Sequence, residues 1–88
     1  MRILFMGTPD IAAECLRGLV ESGLTVVGAI SQPDKPKGRG HKLAPTDVKV
    51  AAEEFGIPVY QPEKIKNGEL EDVLRETEPD LIAVVAYG

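Results

Sequence analysis

Apolar positions along this chain fall into two kinds of run. Ile3-Leu4-Phe5-Met6 and Leu81-Ile82-Ala83-Val84-Val85-Ala86 are uninterrupted, and Thr25-Val26-Val27-Gly28-Ala29-Ile30 is β-branched and uncharged. None shows the polar alternation of a half-solvated strand, so each suits a strand of parallel sheet buried on both faces. Elsewhere apolar residues recur at three- and four-residue spacing, as helical stripes do. The stripes are Ala12, Cys15, Leu16, Leu19 and Val20; then Val48, Ala51, Ala52 and Phe55; then Leu70, Val73 and Leu74. The predicted order is a strand breaking at Gly7, a helix over 9–22, a strand over 25–30, a helix over 46–55, a short strand over 57–60, a helix over 69–77 and a strand over 81–86.

Punctuation residues support these limits. Gly7 allows a tight turn after the first strand, and Thr8-Pro9 reads as a helix N-cap followed by its first residue. Gly23, Gly56 and Pro79 stop the three helices, Thr46 caps the second, and Pro58 suggests an edge strand. Strand, helix, strand implies right-handed crossovers and parallel pairing. The expected fold class is therefore α/β: a partial doubly wound, Rossmann-like parallel sheet of strand order 3-2-1-4 with three crossover helices. The strand order would reverse between the first and fourth strands, placing a crevice between Gly7, Thr8 and Asp10 on one side and Tyr87-Gly88 on the other. The fourth strand would leave a flat apolar edge, which folded proteins avoid exposing. The simplest expectation is that residues 1–88 are the front portion of a larger domain; a partner chain could also cover the edge.

Residues 31–45 break the pattern. They are too many for an ordinary strand-to-helix connection, their three prolines and two glycines exclude regular structure, and little in them is apolar. Lys35, Lys37, Arg39 and Lys42 face a single anion, Asp34, giving +3. The whole chain carries −4, so the remainder carries −7. Such a segment is either a solvated excursion or a cationic arm beside the crevice. Arg39, between two glycines, could fork onto a phosphate, with the lysines as point charges. The segment holds no aromatic for stacking on bases, so backbone contacts are favoured over sequence reading.

Other chemistries find little support. Gly7 alone is no dinucleotide fingerprint, and no Walker-type loop occurs. One histidine and one cysteine cannot build an imidazole–thiolate metal cage. A Ser-His-Asp arrangement would have to use His41, within the basic segment. Cys15 reads as a small buried hydrophobe rather than a catalytic thiol. Asp10 reads as a first-turn carboxylate favouring its helix terminus rather than a catalytic group. With no internal disulfide possible, no apolar leader and no run near the roughly 20 residues that span a bilayer, a cytoplasmic protein is expected.

Four ordered motifs carry a family resemblance: Met6-Gly7-Thr8-Pro9-Asp10; Gln32-Pro33-Asp34-Lys35-Pro36-Lys37-Gly38-Arg39-Gly40; Gly56-Ile57-Pro58-Val59 with Gln61-Pro62; and Val84-Val85-Ala86-Tyr87-Gly88. Together they resemble the amino-terminal part of the methionyl-tRNA formyltransferases, over the whole chain. Ile11 stands where that family usually has an aromatic, and His41 where it often has lysine. The resemblance implies formyl transfer from 10-formyltetrahydrofolate to the methionine amino group of initiator methionyl-tRNA; the residue counts and run lengths above add the expectation that neither a metal nor a membrane is involved. It implies that Lys35, Lys37, Arg39, His41 and Lys42 form a tRNA-binding loop, and that Tyr87 and Gly88 lie at the rim of the folate pocket. The family's Asn-x-His pair and later aspartate do not occur here, since Asn67 precedes Gly68-Glu69. The catalytic set is thus expected beyond Gly88, and the 88 residues alone are expected to be inactive. Two alternatives remain: another folate-dependent formyltransferase or hydrolase acting on a small or nucleotide-sugar substrate, and a non-catalytic nucleotide- or RNA-binding module.

Overall fold

A computed structural model describes residues 1–37, 42–63 and 68–88. The elements run β1 (Arg2–Gly7), α1 (Asp10–Glu21), β2 (Thr25–Ile30), β3 (Lys35–Lys37), β4 (Lys42–Ala44), α2 (Asp47–Glu54), β5 (Val59–Tyr60), α3 (Glu69–Thr77) and β6 (Leu81–Val85). Four of the strands make one sheet in the order β5-β2-β1-β6, with every pair parallel. This is the expected 3-2-1-4 order once β3 and β4 are counted.

Alternation along β1 divides the core between two layers. Phe5 faces α1 and α2, where it packs with Ala12, Ala13, Leu16, Val48, Ala51 and Ala52. Leu4 and Met6 face the other way, toward Val73 of α3 and half-buried Leu70, Leu74 and Tyr60. A central parallel strand needs apolar residues at successive positions because helices cover both its faces. The small alanines let α1 and α2 approach the sheet closely.

Several expectations change. Cys15 is exposed, not part of the buried stripe, and Ala13 takes its place. At about 100° per residue, the stripe centred on Ala12, Leu16 and Val20 includes position 13 and leaves position 15 to one side. Phe55 is also exposed: it is the C-cap of α2, past the last full turn. The N-cap of α1 is Pro9 rather than Thr8, without a side-chain cap.

The basic segment is not irregular throughout. β3 and β4 pair antiparallel, Lys35 with Ala44, Pro36 with Leu43 and Lys37 with Lys42. Alternate pairs in such a ladder exchange no hydrogen bond, which lets a two-stranded ribbon accommodate a proline.

β6 forms the opposite edge of the described sheet from β5. Ala83 and Val85 pack toward the α1–α2 layer, while Leu81, Ile82 and Val84 are exposed, Val84 by 61%.

Candidate functional site

All four parallel strands end on one rim, and the segments leaving that rim converge on Thr8. Its hydroxyl donates to Tyr87 O at 2.6 Å and accepts from Gln32 N at 3.3 Å. Its backbone N–H donates to Ala86 O, and its carbonyl accepts from Val48 N, both at 3.3 Å. One residue therefore joins the ends of β1, β2 and β6 to the start of α2.

Gly7, just before it, has a different role from the one its turn position suggested. It is the last residue of β1, and a Cβ there would sit 2.6 Å from Ala12 Cβ and 2.7 Å from Val85 O. The missing side chain is what allows α1 to pass so close to the β1–β6 pair. Asp10 begins α1, and its Oδ1 accepts from Ile11 N at 2.8 Å, so its carboxylate turns onto its own helix terminus. Tyr87 and Gly88 follow Ala86, which adopts φ +47°, a left-handed conformation costly for alanine. Burial raises the Tyr87 phenol above its usual pKa, keeping it neutral.

A cavity of ≈ 400 Å³ opens between these segments, lined by Thr8, Pro9, Gln32, Lys35, Ala86, Tyr87 and Gly88. A smaller one of ≈ 190 Å³ lies between the hairpin and the helix starts, and Lys35 and Thr8 line it too. The hairpin thus leaves the same rim that carries Tyr87 and Gly88. Of the predicted loop cations, Lys35 lines the crevice. Lys37 and Lys42 are the paired inner residues of β3 and β4, and Arg39 and His41 lie outside the described residues. Among the described residues lining the larger cavity there is no carboxylate or imidazole to exchange a proton at neutral pH.

Local chemistry fixes the return of the hairpin into α2. Thr46 Oγ1 accepts from Lys49 N at 3.1 Å, the N-cap read from the sequence. The same hydroxyl is hydrogen-bonded to the fully buried Ser31. The β2–β5 pairing also takes in the residue after β2, since Tyr60 O accepts from Ser31 N at 3.0 Å. The sequence gives neither Ser31 nor Gln61 a role, although Gln61 belongs to one of the four motifs. Their signal was topological, because adjacent parallel strands bring their following residues together.

The formyl transferase family model matches residues 1–88. The chain belongs to the formyl transferase family. It is 61% identical over its whole length to the methionyl-tRNA formyltransferase of Kosmotoga olearia. The corresponding proteins of Thermotoga neapolitana and Geobacter metallireducens are 52% and 54% identical, again over the whole chain. In each case the chain spans 28% of the relative's length. Of the features described above, the chain carries the crevice-bearing rim and the basic hairpin. No helix among the described residues is long and apolar enough to cross a membrane, and no cluster of metal-ligating side chains occurs among them.

Proposed function

We propose that this chain is the amino-terminal, sheet-forming part of a methionyl-tRNA formyltransferase acting in the cytoplasm, and that its hairpin grips the initiator methionyl-tRNA. The carrying observation is the root of the cationic hairpin on the rim that also bears Thr8, Tyr87 and Gly88, in a chain 61% identical to a protein of that name. In the reaction the methionine amine attacks the formyl carbon of 10-formyltetrahydrofolate, and the donor's nitrogen departs with a proton. Lys35, Lys37, Arg39, His41 and Lys42 serve the tRNA backbone, and the turn from Gly7 to Asp10 supplies one wall of the crevice, with Thr8 and Pro9 lining the cavity and Gly7 and Asp10 flanking them. Tyr87 and Gly88 form the other wall, at the rim where the folate is reached. A neutral phenol and a glycine suit a flat, uncharged heterocycle better than a phosphate. The Asn-x-His pair and aspartate that polarise the formyl group and relay the amine proton are supplied from outside these 88 residues.

A smaller acceptor would give the hairpin nothing to hold, so the hairpin favours tRNA. Replacing Lys35, Lys37, Arg39 and Lys42 together by alanine should weaken initiator tRNA binding and flatten its salt dependence. Each lost phosphate contact lowers the slope of log K against log [salt] by roughly 0.7 to 0.9. Undiminished binding by the fourfold variant would reject the role of the hairpin. Formyl transfer by the isolated 88-residue chain would reject the placement of the chemistry elsewhere.

A further inference from the structure

Three side chains from separate segments meet where the hairpin leaves the sheet. Asp34 immediately precedes β3, Lys49 lies in the first turn of α2, and Gln61 immediately follows β5. Lys49 Nζ donates to Asp34 Oδ2 at 3.0 Å, and Gln61 Nε2 donates to Asp34 Oδ1 at 2.6 Å. The same Gln61 nitrogen donates to Gln32 O at 3.1 Å. Both N–H groups of one amide are therefore used, on two acceptors of the same strand-to-hairpin segment. The reverse amide orientation would set an oxygen against both acceptors, so the assignment is chemically determined. The hydrogen bond from Gln61 and then that from Lys49 hold the Asp34 carboxyl below its usual pKa. The pair is partly shielded, with side chains 25% (Asp34) and 27% (Lys49) exposed.

We propose that Gln61, acting through Asp34 and Lys49, latches the root of the cationic hairpin to the carboxyl rim of the sheet, and is a positioning residue for the polyanion the hairpin grips. The last clause rests on the tRNA reading above; the latch itself does not. Charge alone gives Asp34 no reason to be there. It is the single anion in a segment of four cations, and an electrostatic arm would bind a polyanion better without it. Its neighbour explains it: Lys35 lines the crevice beside Thr8 and Tyr87, so fixing Asp34 fixes the backbone from which that lysine reaches. The latch also ties the hairpin to β5 and α2, the two elements that flank its root.

The experiment combines amide hydrogen exchange, read by mass spectrometry, with binding of an initiator tRNA transcript by the intact protein. Gln61→Leu changes no charge. It should speed exchange in residues 31–37 about tenfold, leave β1 slow, and weaken tRNA binding about three- to tenfold, as the docked fraction falls. Asp34→Ala should also weaken binding, although it removes a negative charge. Asp34→Asn makes the same charge change but keeps an acceptor oxygen for Gln61, and should recover most of the affinity. Unchanged exchange in Gln61→Leu, or tighter binding in Asp34→Ala, would overturn the latch. Faster exchange at 31–37, in a protein whose tRNA binding ignores the fourfold alanine substitution, would uphold the latch and overturn the tRNA reading instead.

Discussion

β1 and β6 are neighbouring strands written in nearly the same alphabet, and the fold treats them differently. In β1, Ile3, Leu4, Phe5 and Met6 are at most 8% exposed. In β6, Ile82 is 39% and Val84 61% exposed, though the two strands pair from Ile3–Leu81 to Gly7–Val85. The difference lies in what covers them. α1 and α2 lie over one face of β1 and α3 over the other, whereas among the described residues only the α1–α2 face of β6 is packed against. An apolar run therefore states how much cover a strand requires, and the topology decides how much of it these elements provide.

The strongest test of that contrast is Phe5→Ala. Phe5 is fully buried between β1 and both helices, and truncation should cost about 3–5 kcal/mol by urea denaturation. Less than about 1 kcal/mol would mean that the β1 core is not close-packed. Gly7→Ala comes next, because the added Cβ would meet Ala12, Val85 O and Phe5 all within 2.8 Å. Backbone and a helix-borne methyl cannot step aside, so about 1–3 kcal/mol should be lost, together with the closeness of β1 to β6. Smallest is Val84→Thr, which keeps the shape and adds a hydroxyl at an exposed site. Stability should move by less than about 0.5 kcal/mol. A loss above about 2 kcal/mol would show that this face of β6 is covered after all.

Much of the fold was legible because period and punctuation agreed. The run at 25–30, the helix at 69–77 and the Thr46 cap are found where the residues put them. Position 15 misled because cysteine is more hydrophobic than alanine, yet the angle around α1 favours Ala13 over Cys15. The hairpin was hidden by Pro36, read as a breaker when a two-stranded ribbon can host it. Of the site, Thr8 and Tyr87 could be brought near one another from the strand order alone. The contact of Gln61 with Asp34 could not, since it spans 27 residues and depends on side-chain reach beyond the strand ends.

The hydrogen bonds of Thr8 have a mechanical corollary. Tyr87 lies 79 residues from Thr8 in sequence and Gln32 lies 24 away, yet one hydroxyl is shared between them. The two sides of the crevice are thus spaced by the protein itself, before anything enters it. A guest that fits that gap spends little of its affinity on drawing the walls together, and one that is too wide must first break the Thr8–Tyr87 bond.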